Sequence, residues 1–377
     1  MNEIGSSSHP VQAAECVLPC AELEETLQFF IERLGFRLHA IFPADRPSVA
    51  VIAGHGLRIR LQRDGPGAPG VLRLLCRDTA AFADGAKEMT APNGTRIELV
   101  DADPPLVVPP CRPSWVVSTL DDTARWGPGR AGMLYRDLVP DRQGGRFIGS
   151  HIRIPDGGPV PDYVHFHKVR FQMIYCYKGW VRIAYEDQGP PLIMNGGDCV
   201  LQPPEIRHRV LESSPGLEVI EIGCPANHET FADHRMSLPT PVARRERIFG
   251  GQRFVHHQAA AARWRPWRLA GFECRDTGIA AATDGLAGVQ VARRSGAAQP
   301  QVCHHDAEFL FVFVLDGTAT LRSRQHGTRR LAAGDSFVVP ATLPHAVVEC
   351  SDDVQLLQVA LPAAFETVME PDLSIGA

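Results

Sequence analysis

The sequence lacks the features that would point to a membrane or a nucleic acid as a partner. No stretch approaches the roughly 18 uninterrupted apolar residues of a membrane helix, and residues 1–10 lack the basic-then-apolar pattern of a signal peptide. The net charge is −5 and the basic residues are scattered, so neither nucleic acid nor an anionic membrane is an expected partner. No CxxC pair occurs among the ten cysteines, and we expect reduced, mostly buried thiols in a cytoplasmic protein.

Helical periodicity is also scarce. The best amphipathic helix covers residues 23–34, and the chain after about residue 140 is patterned as strands and turns. The 34 glycines and 31 prolines are spread along the sequence, as many short strands separated by turns would require. With 377 residues, of which 44% are hydrophobic, the sequence predicts two to three packed, mainly β domains.

An internal repeat organises the last two thirds of the chain. Equivalent residues of the two copies are separated by 139 positions at Arg136 and Arg275 and by 137 positions at His208 and His345. So many fixed spacings indicate two copies of one fold with slightly different loops. The first copy contains Gly132, Arg136, Asp137, Gly158, His165, His167, Gly179, Gly197, Asp198, Pro203 and His208. The second contains Gly271, Arg275, Asp276, Gly296, Cys303, His305, Gly317, Gly334, Asp335, Pro340 and His345.

Each copy is patterned as a β-barrel with histidines on its strands. His165 and His167 are two residues apart, so on a strand they share a face. Gly197-Asp198 predicts a tight turn before a short strand, and His208 opens the next strand. Two histidines from one strand and a third from a neighbouring strand can form one face of a metal site and leave other positions open.

These spacings resemble the two sequence motifs of the cupin superfamily over roughly residues 130–362. The second motif of that family is matched by Gly197, Pro203 and His208, and again by Gly334, Pro340 and His345. The resemblance implies two tandem cupin barrels (double-stranded β-helices). In cupins, one divalent metal is bound by two histidines and a glutamate from the first motif and by one histidine from the second. The resemblance therefore implies His165, His167 and His208 as metal ligands here, with Gln172 in the glutamate position.

The second copy departs from this pattern. Cys303 stands in the position of His165, and Leu310 in the position of Gln172. A second metal site is therefore a weaker expectation, and its candidate ligands are His304, His305, Glu308 and His345. Candidate substrate-binding residues around the first site are His151, Arg153, Arg170, Tyr175 and Arg207, which could orient an anionic or aromatic small molecule.

Residues 12–102 have a different pattern, a βαβββ order of elements. The segments 29–36 and 92–100 resemble one module of the glyoxalase and extradiol dioxygenase family, called vicinal oxygen chelate. Glu98 stands where that family often has a metal-binding glutamate, and Glu15 where it often has a histidine. No set of four ligands is evident, and we expect a degenerate structural or partner-contact domain. The expected organisation is this domain, a proline-rich linker at 103–120, a first barrel at 121–235 and a second at 236–365.

The resulting hypothesis is a metal-dependent dioxygenase. Without the carboxylate the site is more positive, which favours a chelating substrate that binds through two oxygens while O2 takes another position. Fe(II) is the expected metal, and Zn, Ni, Mn or Cu are alternatives. Two other hypotheses stay open: a Zn- or Ni-dependent isomerase, lyase or hydrolase with a protein base, and a non-enzymatic small-molecule-binding protein. We also expect a homo-oligomer, as in many bicupins.

Overall fold

The computed structural model describes residues 10–83, 86–121, 124–297 and 301–370. The chain divides after Pro105 into two compact units. Within the described residues, no helix is long and apolar enough to cross a membrane. All ten cysteines are free.

The first unit alternates strands with short helices. Its helices are α1 (Leu23–Gln28), which continues as a π-helix over Phe29–Arg33, and α2 (Thr79–Ala83). Its strands are β1 (Cys16–Pro19), β2 (Arg37–Phe42), β3 (Val49–Gly54), β4 (Leu57–Gln62), β5 (Val71–Cys76), β6 (Glu88–Thr90) and β7 (Arg96–Asp101). The predicted βαβββ order is present in β1, α1, β2, β3 and β4.

Two sheets form this unit. The first has the order β1-β4-β3-β2, with β1 parallel to β4, and the second has the order β5-β7-β6, with β5 parallel to β7. The apolar residues of α1 and the π-helix lie at helical spacing, so Leu23, Phe30 and Leu34 are buried together against Ile52 and Ile59. The first unit therefore has its own hydrophobic core.

The second unit contains the two predicted barrels. The strands that precede and form the first copy of the repeat are β8 (Val116–Ser118), β9 (Gly127–Pro128), β10 (Leu134–Asp137), β11 (Ile148–Ile154), β12 (Gly158–Pro159), β13 (His165–His167), β14 (Phe171–Lys178), β15 (Trp180–Tyr185), β16 (Leu192–Asn195), β17 (Cys199–Leu201), β18 (His208–Ser213), β19 (Leu217–Cys224) and β20 (Thr230–Ala232). A hairpin and a connecting strand follow: β21 (Ile248–Phe249), β22 (Gln252–Arg253) and β23 (Val255–His257).

The second copy repeats this series of strands. It contains β24 (Arg265–Pro266), β25 (Phe272–Asp276), helix α3 (Ile279–Ala282), β26 (Gly288–Arg294), β27 (Cys303–His305), β28 (Phe309–Asp316), β29 (Thr318–Ser323), β30 (Gly327–Ala332), β31 (Ser336–Val338), β32 (His345–Val348), β33 (Gln355–Leu361) and β34 (Thr367–Met369). Single 3-10 turns occur at Arg130–Gly132 and Ala259–Ala261. Because β13 and β27, β14 and β28, and β18 and β32 begin 137 or 138 residues apart, the predicted duplication is present at the level of strands.

Each barrel consists of two facing sheets. In the first barrel their orders are β23-β17-β14-β19-β11-β10-β9 and β16-β15-β18-β13-β20. In the second they are β24-β25-β26-β33-β28-β31-β8 and β30-β29-β32-β27-β34. The barrels exchange edge strands, since β8 precedes the first barrel in the chain but pairs with β31 of the second. In turn β23 pairs with β17 of the first barrel. The predicted linker 103–120 thus ends in a strand of the second barrel.

One apolar core spans the junction of the barrels. Phe147 of the first repeat stacks on Phe309 of the second, with ring centroids 4.1 Å apart. Two buried arginines reach across this junction in a reciprocal way: Arg136 donates to the carbonyl of Gly334, and Arg275 donates to the carbonyl of Gly197, 3.2 Å away. The repeated arginine and the repeated Gly-Asp turn therefore hold the two barrels together.

Candidate metal centre

Three histidines converge inside the first barrel. His165 and His167 lie on β13 and point the same way because they are two residues apart on a strand. β13 is antiparallel to β18, and His165 is directly opposite His208 in the register. One ring nitrogen from each of the three lies within 4.8 Å of the others, and all three side chains are buried.

Backbone carbonyls set the orientation of each ring. Nδ1 of His165 lies 2.8 Å from the carbonyl of Tyr163, and Nδ1 of His208 lies 3.0 Å from that of Ile206. Nδ1 of His167 lies 3.2 Å from the carbonyl of Glu229. A carbonyl only accepts, so each Nδ1 carries the proton, and the Nε2 lone pairs are the ones available to a metal.

The environment also keeps the three rings neutral. Burial, with the neighbouring His165 and His228, lowers the pKa of His167 to about 3. Burial lowers the pKa of His165 and of His208 as well. A metal competes with protons for an imidazole, so this donor set is ready to bind a divalent ion at neutral pH. The residues present fit such an ion.

Arg130 lies at the edge of this histidine cluster. Its Nη2 donates to Nε2 of His165 over 2.7 Å, and its Nη1 is paired with the fully buried carboxylate of Asp162. The positively charged guanidinium of Arg130 thus lies against the Nε2 lone pair of His165 that a metal would use. Arg130 must leave His165 when a metal binds there, and the ion pair with Asp162 anchors it nearby.

A cavity of about 520 Å³ opens beside the histidines. His167, Gln172 and His208 line it together with polar groups from other strands, namely Arg130, Tyr135, Ser150, Gln202, Glu221, His228 and Thr230. Most of the remaining wall is aliphatic, including Ile152, Ile174, Val181 and Val219. This size and this mixture of apolar walls with few polar groups are typical of a small-molecule site.

Gln172 pairs with a carboxylate that sequence reasoning missed. On adjacent strands β14 and β19, its Nε2 donates to Oε1 of Glu221 over 2.5 Å. The amide oxygen of Gln172 is left as an acceptor and a weak metal ligand. A signal for Glu221 does exist, because Glu218 and Glu221 are the two acidic residues that interrupt the otherwise apolar strand β19 (Leu217–Cys224).

Arg130 and His228 were missed too. His228 lies 5.3 Å from His167 between ring centroids and lines the same cavity. The repeat pairs Arg130 with Arg268, because each arginine follows by two residues the proline that ends β9 or β24, and these strands begin 138 residues apart.

None of the five predicted substrate-binding residues lines the cavity. Ile148, Ser150, Ile152 and Ile154 of β11 line it, so alternation turns His151 and Arg153 to the other face. The side-chain contacts of all five lie elsewhere. His151 and Arg153 bond to Glu218, and Arg170 lies 3.9 Å from Glu308. Tyr175 accepts a hydrogen bond from Arg275, and Arg207 pairs with Asp233. The structure therefore places these five residues away from the cavity, since a residue's position in the sequence does not reveal which face of a strand is the interior.

The second barrel does not bring its four predicted ligands together. His305 and His345 are buried with ring centroids 6.0 Å apart. His304 points the opposite way along β27 and lies 2.7 Å from Glu370. Glu308 precedes β28 instead of alternating within it, and it pairs with Arg146 at the junction.

Packing fills the second barrel next to its histidines, where the first barrel has the inner end of its cavity. Leu310 and Val312 of β28 stand 138 residues after Gln172 and Ile174, and the void beside Cys303 and His345 is only about 20 Å³. Nε2 of His305 is 3.2 Å from the carbonyl of Val339, so that nitrogen carries the proton. The described residues therefore show a histidine cluster with metal-site spacing in the first barrel alone.

The two acidic residues singled out in the first unit are engaged by arginines. Glu15 accepts from Arg58 over 2.6 Å, and Glu98 accepts from Arg96 over 2.6 Å. They lie at different sheets, and no cluster of potential ligands surrounds either one among the described residues.

Comparisons with known proteins agree with this architecture. A family model described as "Cupin domain" matches residues 291–359. Salicylate 1,2-dioxygenase from Pseudaminobacter salicylatoxidans is similar with a TM-score of 0.52 and 14% identity, over 71% of this chain and 92% of that chain. A variant of oxalate decarboxylase from Bacillus subtilis has a TM-score of 0.49 and 13% identity, over 71% and 81%. No curated protein matches the sequence. The chain is a mainly β protein with the fold of two tandem cupin barrels.

Proposed function

We propose that this protein is a metal-dependent dioxygenase whose metal, Fe(II), is bound by His165, His167 and His208 in the first barrel. The observation that carries the proposal is the convergence of three neutral, carbonyl-oriented imidazoles, two of which line a cavity of about 520 Å³. Three histidines leave further coordination positions for a substrate and O2. The likeness in fold to a salicylate 1,2-dioxygenase is consistent with this choice.

The reaction class proposed is cleavage of a C–C bond in an oxygenated or aromatic small molecule, with both atoms of O2 entering the product. The bound iron supplies the means to activate O2 and to hold two substrate oxygens. The chain supplies the rest: aliphatic walls such as Ile152 and Val219 bury the ring and exclude water, and Arg130 offers a positive charge to a substrate oxyanion. Glu221 and Tyr135 lie where they could accept or return a proton.

The test is anaerobic reconstitution with Fe(II), followed by O2 uptake on a panel of catechols, salicylates, hydroquinones and β-diketones. We expect uptake with at least one member, in a stoichiometry of one O2 per substrate. Arg207→Ala is a matched control, because Arg207 lies outside the cavity and should leave uptake unchanged. If Fe(II) binds stoichiometrically and no substrate consumes O2, the proposal fails.

One observation favours a second candidate, a Zn- or Ni-dependent isomerase, lyase or hydrolase. Such an enzyme needs a protein base beside the metal, and Glu221 is a carboxylate on the cavity wall held by Gln172. Turnover that persists under strict anaerobiosis and is lost in Glu221→Gln would select this candidate over the dioxygenase.

For residues 12–102 we propose a degenerate vicinal oxygen chelate module. The order β1-α1-β2-β3-β4, with β1 parallel to β4, supports the likeness, and the arginine partners of Glu15 and Glu98 argue against a metal there. Glu15→Gln and Glu98→Gln should leave the metal content of the protein unchanged. Loss of an equivalent of metal in either variant would contradict the proposal.

A further inference from the structure

The second barrel is filled next to its histidines, but it has an open groove that corresponds to the outer part of the cavity in the first barrel. The groove has a volume of about 870 Å³ and is lined by Trp267, Arg268, Gln290, Gln358 and Phe365. Gln290 faces Gln358 across β26 and β33, just as Ser150 faces Glu221 across β11 and β19. The groove is thus the repeat counterpart of the candidate active site, with different chemistry.

Three charged residues line this groove, Arg265, Arg268 and Asp276, and among the described residues Arg268 has no counter-ion. Its Nη2 donates to Oε1 of Gln358 over 2.5 Å, while its Nε is buried without a hydrogen-bond partner. The guanidinium lies over the ring of Trp267 at 4.6 Å and near that of Phe365 at 5.7 Å. No carboxylate among the described residues pairs with it. Asp276, which also lines the groove, is held by Arg265 at 2.7 Å.

The ionisable groups nearest to Arg268 do not compensate its charge. Burial raises the pKa of the Cys303 thiol, so the sulfur is protonated and neutral. Burial lowers the pKa of His305 and of His345 to about 4, so both rings are neutral at pH 7. Burial also lowers the pKa of Arg268, although an arginine stays protonated. A buried charge without a partner is costly, and a bound anion would relieve that cost.

The first barrel has two carboxylates at positions where the second barrel has none. There Arg130, the repeat counterpart of Arg268, is neutralised by the buried carboxylate of Asp162. In the sequence the position 138 residues after Asp162 holds Pro300, and the counterpart of Glu221 is the uncharged Gln358. Both negative charges are absent from the second copy while the arginine is kept.

We propose that the groove of the second barrel binds a small carboxylate, with Arg268 as its counter-ion, the amide nitrogen of Gln358 as a second donor, and Trp267 and Phe365 as apolar walls. Arginine presents paired N–H groups that match the geometry of a carboxylate, and the two aromatic rings select a ligand with an apolar body. This site needs no metal, so it stands independently of the activity proposed for the first barrel.

The test uses the full-length, metal-free protein and isothermal titration calorimetry with benzoate as the probe. We expect one equivalent of benzoate to bind, and benzamide, which has the same shape without the charge, to bind at least tenfold more weakly. Arg268→Gln should weaken benzoate binding at least tenfold without lowering Tm, because it removes an uncompensated charge. Arg142→Gln, which removes a partly exposed arginine that lines neither the cavity nor the groove, should bind benzoate like the wild type.

Two results would overturn the proposal. One is benzoate binding that survives in Arg268→Gln and is lost in Arg130→Gln, which assigns it to the first barrel. The other is an absence of benzoate binding by the wild type, or equal binding of benzamide. Should Arg268→Gln not fold, Trp267→Phe provides the readout: benzoate should quench tryptophan fluorescence in the wild type and not in this variant, and equal quenching in both contradicts the site.

Discussion

At the scale of single residues, the candidate site depends on which side chains carry protons and which accept them. The sequence predicted His165, His167 and His208 because a two-residue spacing on a strand fixes a shared face, and the structure brings these three together. Glu221 interrupts an apolar strand, but its pairing with Gln172 and the position of His228 in a loop at the cavity follow only from the folded structure. The five residues predicted to bind substrate lie away from the cavity, and for His151 and Arg153 the reason is that they face the other side of β11.

The pair of Gln172 and Glu221 gives the first prediction. Gln172→Glu would set two carboxylates within hydrogen-bond distance in a cavity, and one of them must take up a proton or lose its partner. We expect the free energy of unfolding at pH 8 to fall by about 1–3 kcal/mol, measured by urea denaturation. The exchanged double variant, Gln172→Glu with Glu221→Gln, restores one amide and one carboxylate and should recover most of the loss. Equal stability of the single and double variants would show that the hydrogen bond contributes nothing.

At the scale of elements, the repeat could be predicted from the sequence, whereas the exchange of edge strands between the barrels could not. Fixed spacings between glycines, aspartates and histidines identify turns and strand starts, so two copies of a barrel could be predicted. That β8 joins the second barrel and β23 the first depends on contacts between segments far apart in the chain. The repeated arginines had no evident role until the structure showed each one bonded to the opposite barrel.

The reciprocal arginine contacts give the second prediction. Arg136→Met and Arg275→Met each leave a carbonyl of the opposite Gly-Asp turn without its donor. Each should lower the free energy of unfolding by about 1–3 kcal/mol and accelerate amide hydrogen exchange in that turn. Arg142→Met is the control, because its ion pair with Asp137 is partly exposed and should contribute less than about 1 kcal/mol. Unchanged exchange at the opposite turn in both variants would mean that the contacts do not hold the barrels together.

At the scale of the whole molecule, the two barrels combine one fold with two interiors. The first interior keeps histidines and a cavity, whereas Leu310 and Val312 fill the second. That asymmetry could be predicted from Cys303 and Leu310 in the sequence. The position of the groove at Arg268 could not, because it depends on which charges lie nearby in space.

Buried neutral histidines give the third prediction, an acid sensitivity of the metal-free protein. The pKa of His305 and of His345 is about 4 when folded, against about 6.5 in an unfolded chain. Below pH 6.5 the unfolded state binds these protons first, so stability is complete above pH 6.5 and is lost as the pH falls toward 4. At pH 5 the loss should be on the order of 2 kcal/mol for each histidine.

The measurement is the free energy of unfolding by urea at pH 7.5 and pH 5, compared between the wild type and His345→Leu. The variant lacks one of these groups, so its stability should change less with pH, whatever its stability at pH 7.5. An identical pH dependence in the two proteins would show that His345 is not held neutral by the fold.

The central claim is a single metal site, formed by the three histidines of the first barrel. Elemental analysis of the purified protein, compared with His167→Ala and His305→Ala, tests it most directly. The account predicts one equivalent of metal in the wild type, its loss in His167→Ala and its retention in His305→Ala. Retention of metal in His167→Ala together with its loss in His305→Ala would contradict the account.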